Sequence, residues 1–319
     1  MLEEFSSWIV LSILNIEKGT RLESTLNFFI YDSIKILLLL FVMIAIVGYL
    51  RTYISEKKIR QLLSGKKQGI GNIIAAIMGA ITPFCSCSSI PVFLSFMKAK
   101  IPLGVSFSFL VTSPLVNEYV AIIMLGFFGW KITALYIISG ILIGVFSGIV
   151  IGKLGLEKHI VQDMIETKGN NDEKIFSTQK ERIDTGLKEA TTIIKSIWMW
   201  VFVGIGIAAG IHGYIPEETV ISLIQTGGIF SVPIATLIGV PLYANCAAVV
   251  PIAVVLFEKG FPLGTALAFM MGTAALSIPE AIILRRAMKL PLIVAFFTIV
   301  TISIILTGYT FNFLAMFLI

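Results

Sequence analysis

The stretch TPFCSCSSIP, residues 82–91, interrupts an apolar run that extends from residue 70 to residue 98. It contains Pro83 and Pro91, and a proline removes a backbone donor and clashes with the preceding helical turn. The sequence therefore predicts two half-helices joined by irregular backbone. Each half would have roughly 11 to 13 residues, which at about 1.5 Å per residue reaches only part of the way across a bilayer.

A second apolar run, residues 229–257, is interrupted in the same way by VPLYANCAAVVP, which contains Pro241 and Pro251. The four prolines mark two predicted broken-helix tips. A run that enters and leaves on one side of the membrane is a re-entrant hairpin with its tip near the midplane, and the alternative is a run that crosses fully.

The composition of the chain indicates whether these runs lie in water or in a membrane. Hydrophobic residues make up 57% of the 319 residues and charged residues 13%, and the mean hydropathy is +0.95. Soluble domains contain about 25% charged residues, so the chain is predicted to be an integral membrane protein in contact with the lipid bilayer. The formal charge of +5 comes from Lys and Arg in a few loops, as membrane topology requires, and nucleic-acid binding is not expected.

Apolar stretches long enough to cross a hydrocarbon core of about 30 Å recur along the chain. They are predicted at residues 30–50, 103–126, 130–153, 194–212, 261–284 and 290–312. The predicted fold class is thus an all-α integral membrane protein, a polytopic helical bundle in which the two interrupted runs form broken or re-entrant helical hairpins.

The basic residues predict which loops are cytoplasmic, because these loops carry the Lys and Arg excess. They cluster at 51–68 and 285–289, and the polar stretch 154–190 is also charged, whereas GYIPEE at 213–218 has no Lys or Arg. The three charged stretches are therefore assigned to the cytoplasm and residues 213–218 to the outside. These four assignments agree only if each interrupted run leaves the membrane on the side it entered. The predicted organisation is a transmembrane repeat at 1–153, a cytoplasmic linker at 154–190 and a second transmembrane repeat at 191–319, with an external C-terminus.

Two similar segments support a duplication. KIPLGVSFSFLVTSPLVNE from Lys100 resembles GFPLGTALAFMMGTAALSIPE from Gly260, and each follows a proline at the same spacing. With three crossings each, the two halves would have opposite orientations, as in the inverted repeats of many secondary transporters. The competing interpretation is a coincidence of Pro-Leu-Gly turns in an apolar background.

All three cysteines lie in the two interruptions, Cys85 and Cys87 in the first and Cys246 in the second. Thiolates bind soft metals and thiophilic metalloids. Zinc or iron–sulfur sites made only of cysteine need four ligands, so neither a permanent metal nor a cofactor is predicted. The predicted substrate-binding residues are Cys85, Cys87, Cys246, Ser86, Ser88 and Asn245. The alternative is that these small side chains serve only helix packing.

These residues carry a family resemblance. GAITPFCSCSSIPVFLSFMKAKIPLGVSFSFLVTSPLVNE, GVPLYANCAAVVPIA and ALSIPEAIIL together resemble the YraQ-like predicted permeases, which include ArsP-type organoarsenical efflux permeases. The resemblance covers about residues 30 to 316. It implies a multi-pass permease of the cell inner membrane and, for the arsenical branch, export of trivalent organoarsenicals, whose arsenic binds thiols.

Two acidic residues lie inside predicted spans at similar places in the two segments: Glu118, after Asn117, and Glu280. An ionisable group in the hydrocarbon region costs about 2.5 to 3.5 kcal/mol on insertion scales and usually faces a cavity or a partner. Asn117, Glu118 and Glu280 are therefore predicted to couple or gate transport. The alternative is a capping or pairing role near a membrane face.

The predicted function is a secondary permease, not an enzyme, that exports trivalent organoarsenicals or similar thiophilic small molecules, since nothing in the chain resembles an ATP-binding motif. One alternative is a permease for another small solute, such as a sulfur compound or a metal ion. Another is a membrane thiol-redox protein that uses Cys85 and Cys87, although redox pairs usually have two residues between the cysteines. A homo-oligomer is compatible with the sequence.

Overall fold

The computed structural model describes residues 2–14, 16–53, 69–82, 86–161, 178–214, 227–241, 246–285 and 287–318. The helices of the first half are α1 (Leu2–Trp8, continued by a π-helix at Ile9–Ile13), α2 (Arg21–Arg51), α3 (Ile70–Ile81), α4 (Ser86–Lys98), α5 (Leu103–Leu115) and α6 (Glu118–Lys153). Those of the second half are α7 (Gln179–Tyr214), α8 (Ser231–Gly239), α9 (Cys246–Glu258), α10 (Leu263–Ala275), α11 (Ile278–Leu284) and α12 (Leu290–Leu318). The described residues contain no strand, which confirms the all-α prediction for them.

Helices α5 and α6 pack closely and antiparallel through glycines. A β-carbon at Gly104, near the start of α5, would collide with the carbonyl oxygen of Gly148 near the end of α6. At the other end of α5, the Tyr136 hydroxyl donates a hydrogen bond of 2.9 Å to the Leu115 carbonyl. The end of α5 therefore lies beside the middle of α6.

Helices α3 and α4 form a hairpin beside α5. The Asn72 side-chain amide at the start of α3 donates to Ser108 Oγ at 2.9 Å, and a β-carbon at Gly79 would lie 2.9 Å from the Phe109 carbonyl oxygen. Helix α3 thus runs parallel to α5, and α4 returns through residues 99–102 to the start of α5. Both open ends of the hairpin lie at the Gly148 end of α6.

The predicted span 103–126 is interrupted, which corrects the sequence-based assignment. Val116 is extended (φ −125°, ψ 110°), and Asn117 caps a new helix by accepting a hydrogen bond of 2.9 Å from the Val120 backbone N–H. Helix α6 also bends at Gly129, whose φ of 73° falls outside the helical region. An apolar pattern does not reveal this break because both sides of it are apolar.

The predicted span 261–284 is interrupted at the equivalent place. Leu276 is non-helical (φ −136°, ψ 88°), and Ser277 Oγ accepts a hydrogen bond of 3.2 Å from the Glu280 backbone N–H. Pro279 favours a helix start here, since its missing N–H is one that a first turn leaves unpaired anyway. Residues 261–284 therefore comprise α10 and α11 rather than one uninterrupted helix.

The backbone of the first half recurs 160 residues later, as the pair Lys100 and Gly260 shows. Each lies just after a helix, with φ of 58° and 87°, and each is followed by a residue whose N–H bonds back into that helix, Ile101 to Phe96 at 3.0 Å and Phe261 to Leu256 at 3.2 Å. The same spacing relates α4 to α9 and α5 to α10, whose bounds coincide after the shift.

Helices α2 and α7 pack antiparallel along most of their lengths. The rings of Phe29 and Phe202 lie in contact at a tilt of 50°, with centroids 5.8 Å apart, and Gly186 lies against the backbone of Ala45. At one end of the pair the Arg182 guanidinium donates to the Thr52 carbonyl oxygen at 2.7 Å. The end of α2 and the start of α7 therefore lie on the same side of the bundle.

The first residues of the predicted linker bind the loop between α11 and α12. The backbone N–H of Val161 donates to the Ala287 carbonyl at 2.9 Å, and that of Lys289 donates to the His159 carbonyl at 2.7 Å. Helix α7 begins at Gln179, so the last part of the predicted linker, residues 179–190, is helical. Its buried Gly186 and Ala190 are one helical turn apart, a pattern that the surrounding charges obscure in the sequence.

Among the described residues, three stretches have the length and apolarity to cross a membrane: Val120–Lys153, Leu263–Leu284 (α10 and α11 with the break between them) and Leu290–Phe317. They agree with the sequence-based interpretation of a helical membrane protein. The predicted spans 30–50 and 194–212 lie within α2 and α7.

Candidate functional site

The interruptions of the helices lie at one level of the bundle. Gly140, near the middle of α6, has no room for a β-carbon because the Val116 side chain occupies that space. The end of α3 reaches the same level, since Gly79 packs against Phe109 to Ser113 near the end of α5. The breaks after α3 and after α5 thus both lie about halfway along α6.

The second half has the same arrangement. The Gly264 backbone N–H donates to Asn312 Oδ1 at 2.7 Å, while a β-carbon at Gly239 would lie 2.9 Å from the Phe269 carbonyl oxygen. Helix α10 therefore starts beside the far end of α12, and the end of α8 lies near the end of α10. The breaks after α8 and after α10 fall away from the ends of α12, so each half brings two helix interruptions into its interior.

The two acidic residues are not equivalent, which corrects the sequence-based comparison of their places. With the 160-residue shift, Glu280 corresponds to Val120 and Glu118 to Ile278. Glu118 is the first residue of α6 and is exposed, whereas Glu280 is the third residue of α11 and only 1% exposed. The two acids are therefore offset by two residues, and the residues that correspond are the caps.

The caps themselves are the equivalent residues. Asn117, 7% exposed, and Ser277, 2% exposed, each accept a hydrogen bond from a backbone N–H three residues later. A capping side chain satisfies a donor that the helix start would leave unpaired, and inside an apolar bundle no water replaces it. Asn117 thus has the capping role that the sequence analysis gave as an alternative, in the middle of the bundle rather than at its face.

Two of the three cysteines lie at the starts of half-helices. Cys87 is the second residue of α4, in the order Ser86, Cys87, Ser88, and Cys246 is the first residue of α9. Cys85 and Asn245 lie outside the described residues. The side chains of Ser86, Cys87, Ser88 and Cys246 are not described either. No group of three metal-ligating side chains occurs among those that the structure describes.

The prolines occupy different positions from those expected of tips. Pro91 and Pro251 each lie at the sixth position of a helix, α4 and α9, so the interruptions precede them. A proline there removes the hydrogen bond to the carbonyl four residues earlier, which belongs to Cys87 or to Ala247. Pro241 lies two residues after the last residue of α8, Gly239, and Pro83 lies outside the described residues.

The half-helices contact each other across the two halves of the chain. Helix α4, which carries Cys87, contacts α11, which carries Glu280. Helix α9 contacts α6, where the Phe257 and Phe128 rings meet edge-on at 5.7 Å. Each cysteine-bearing half-helix therefore packs against a helix of the opposite half that begins at one of the capped breaks.

Two charged residues of α2, Asp32 and Lys35, lie inside the predicted span 30–50 and are not among the predicted site residues. Both are partly buried, and Lys35 Nζ lies 5.0 Å from the centroid of the Tyr31 ring, a cation–π contact. Lys195 of α7 lies 160 residues after Lys35, inside the predicted span 194–212. Charges within an apolar window were the signal that would have found them.

Comparison with known proteins identifies relatives over most of the chain. The family ArsP_1, described as a predicted permease, matches residues 21–313. UPF0718 protein MJ0584 of Methanocaldococcus jannaschii is 21% identical over 94% of this chain and 96% of its own length. UPF0718 protein YcgR of Bacillus subtilis is 22% identical over 82% of this chain and 88% of its own length.

A relative from Streptococcus mutans is named as a putative two-component membrane permease complex subunit. It is 25% identical over 61% of this chain and 65% of its own length. No solved structure matches the chain. The matches confirm the resemblance to the YraQ-like predicted permeases.

Proposed function

The chain belongs to the ArsP_1 family of predicted permeases, and on that premise we propose that it is a multi-pass secondary permease of the inner membrane whose substrate passes between the interrupted half-helices. The observation that carries this proposal is the position of the breaks after α5 and α10, in the interior of each half. A break in a membrane helix frees backbone polar groups, which are tolerated only where protein or a cavity, rather than lipid, surrounds them. Transporters use such breaks to line a substrate site near the membrane midplane.

The architecture supporting this is a pair of inverted repeats, residues 1–153 and 191–319. Helices α2 and α7 correspond after the 160-residue shift and pack antiparallel. If two equivalent membrane-crossing helices are antiparallel, the two-fold axis that relates them lies in the membrane plane. Alternating access then follows from movement of one repeat against the other.

The proposed cargo is a trivalent organoarsenical or a similar thiophilic small molecule. Cys85, Cys87 and Cys246 belong to two tips, and Ser86, Ser88 and Asn245 surround them in sequence. Three thiols suit a transient site, because movement of one tip away from the other would lower the number of ligands and release the cargo. The freed carbonyls of Cys87 and Ala247 add polar backbone near the same tips.

Glu280 is the proposed coupling residue. Asn117 is proposed to hold the break before α6 in the other half in place, and Glu118 is proposed to have a smaller part in coupling or gating. Glu280 is buried in α11 and α11 contacts the cysteine-bearing α4, whereas Glu118 is exposed. A carboxyl group buried inside a membrane bundle marks an ion pathway or a substrate contact more often than an exposed one does.

The complex in the name of the Streptococcus mutans relative is extended to this chain as a proposal: the chain is one component of a two-component membrane permease complex. The support for this proposal is the name of that relative, which states a two-component membrane permease complex.

The test is transport of methylarsenite by inverted membrane vesicles that contain the protein, compared with a variant in which Cys85, Cys87 and Cys246 are all changed to Ser. Serine keeps the size but removes the soft ligand, so the variant is expected to lose uptake by at least about tenfold at an unchanged membrane level. Variants with one Cys→Ser change identify which thiols contribute. A triple variant that transports every thiophilic compound tested at the wild-type rate would contradict the proposed cargo.

A further inference from the structure

Helices α2 and α7 form a pair that the two-fold axis of the proposed inverted repeat maps onto itself. Phe29 of α2 lies beside Phe202 of α7, and the two helices are antiparallel. Lys35 therefore lies beside residue 196, next to its own equivalent under the 160-residue shift, Lys195. The axis thus passes the pair at this level, and the pair extends to a similar length on both sides of it.

The contacts of this pair with the rest of the bundle are not symmetric. Helix α2 packs against α4, and α7 packs against α11. The equivalent contacts would join α7 to α9 and α2 to the start of α6, residues 118–124. Within the part of the chain that the structure describes, neither of these is a comparable contact.

The two half-helices that the pair covers run toward the same side of the bundle. Helix α4 leads into α5, whose Gly104 lies beside Gly148 near the end of α6. Helix α11 leads into Ala287, whose carbonyl accepts a hydrogen bond from the Val161 N–H just after α6. Both therefore run from the breaks toward the side on which α6 ends, which the basic stretches predict to be cytoplasmic.

The equivalent half-helices run toward the other side. Helix α9 leads into α10, whose Gly264 lies beside Asn312 near the far end of α12. Residues 118–128 run from the level of Gly140 to the bend at Gly129, away from the end of α6. The α2–α7 pair thus packs against the half-helices of the cytoplasmic side rather than against their external equivalents.

Burial of equivalent residues follows these contacts. Ile122 near the start of α6 is 69% exposed, whereas its equivalent Ile282 in α11 is partly buried. Pro251 of α9 is exposed, whereas its equivalent Pro91 in α4 is buried. The same backbone therefore has a covered face on the cytoplasmic side and an uncovered face on the external side.

The uncovered face includes a carboxylate. Glu118, Ile122 and Leu125 are four and three residues apart, so they share one side of the helix, and all three are exposed. Glu118 lies two residues after Val116, which reaches the middle of α6. A carboxylate at such depth in a membrane protein usually faces a cavity or a partner rather than lipid. This face is therefore expected to border water in the state that the structure represents.

We propose that the α2–α7 pair is the moving gate of the permease and that the uncovered face, formed by α9 and residues 118–125, is its second docking surface. In this structure the pair closes against α4 and α11. In the second state it packs against α9 and the start of α6 and uncovers the cytoplasmic half-helices. The two docking surfaces have similar shapes because the two halves have nearly the same backbone. This inference rests on the proposed alternating access and identifies the contacts that exchange during it.

The first test places the photocrosslinking residue benzoylphenylalanine at Ile122, Ile282 or Ile138 of the full chain in membrane vesicles. Ile138, an exposed apolar residue of α6 at a nearby depth, is the matched control. Mass spectrometry locates the crosslinks. We expect the Ile282 variant to crosslink to α7, which reports the present state, and the Ile122 variant to crosslink to α2 of the same chain, which reports the second state. The α2 product of the Ile122 variant should exceed that of the Ile138 variant at least tenfold.

A smaller substitution tests the water contact and serves also if a benzoylphenylalanine variant does not fold. Ile122→Cys and Ile138→Cys are made in a background whose three native cysteines are changed to Ser. In right-side-out vesicles a membrane-impermeant maleimide is expected to modify Ile122→Cys at least tenfold faster than Ile138→Cys. In inverted vesicles Ile282→Cys should react, because the second state uncovers it on the cytoplasmic side.

Crosslinking of the Ile122 variant only to phospholipid, or only to a second chain, would overturn the proposal, as would equal maleimide rates at residues 122 and 138. Neither readout requires transport. A protein that exports methylarsenite without the α2 crosslink would keep the proposed function and lose this gate. A protein that shows the crosslink but does not move methylarsenite would keep the gate and lose the proposed cargo.

Discussion

The described residues of 70–153 and of 231–313 have nearly the same backbone and different chemistry. Their turns, caps and close helix contacts recur at one spacing, yet the first region has two cysteines at its tip and no buried acid in α6 at the position of Glu280, where Val120 stands. The backbone needs only residues that satisfy its donors and leave space between helices. The two regions therefore differ mainly in the side chains that they contribute to the candidate site.

The cap pair illustrates this division. Asn117 and Ser277 perform the same hydrogen bond, but the next three residues place an exposed acid after one and a buried acid after the other. The same local fold thus leaves the carboxylate accessible in one half and buries it in the other.

The largest expected difference between the two regions concerns these acids. Glu280→Gln is expected to lower flux into vesicles by at least about tenfold, equivalent to about 1.4 kcal/mol in the rate-limiting barrier, and to flatten its pH dependence. Glu118→Gln is expected to keep both, because that side chain is exposed. Flux measured between pH 5.5 and 8.5 at matched protein levels provides the comparison, and equal behaviour of the two variants would remove the functional asymmetry.

A smaller effect tests whether the close packing is shared. Gly104→Ala and Gly264→Ala each place a methyl group against a backbone carbonyl, that of Gly148 or of Gly308. Because backbone cannot move aside without shifting a helix, each change should destabilise the protein by about 1 to 3 kcal/mol. Thermal unfolding in detergent measures this loss.

Gly126→Ala is the matched control for that measurement, since nothing lies within 4 Å of its added methyl group. A control that loses as much stability as the two packed variants, or packed variants that lose none, would show that helices α5 and α10 do not approach their neighbours as described.

The smallest effect concerns the turn after α4 and α9. Lys100 has φ of 58°, a left-handed conformation that costs a residue with a β-carbon about 1 to 2 kcal/mol, whereas Gly260 adopts it freely. Lys100→Gly should therefore stabilise the protein by about 0.5 to 1 kcal/mol, and Gly260→Ala should destabilise it by a similar amount. Chemical denaturation of both variants measures the signs, and a loss of stability for Lys100→Gly would contradict the shared turn.

Local rules were enough to predict much of this from residue order. Composition identified a helical membrane protein, Pro83 and Pro241 indicated where α3 and α8 end, and the Pro-Leu-Gly segments at Lys100 and Gly260 indicated two similar halves. These predictions succeeded because proline geometry and apolar length act within a few residues of the chain. The family resemblance came from the same contiguous motifs.

Long-range contacts account for what the sequence did not reveal. The break at Asn117 lies in an apolar run and becomes visible only because Val116 meets the middle of α6, and the helical start of α7 depends on Gly186 packing against α2. Likewise, the burial of Glu280 follows from its position three residues into a capped helix that packs on α4 and α7. Spacing along the chain does not encode depth in a bundle, because depth is set by which helices pack together and in which direction they run.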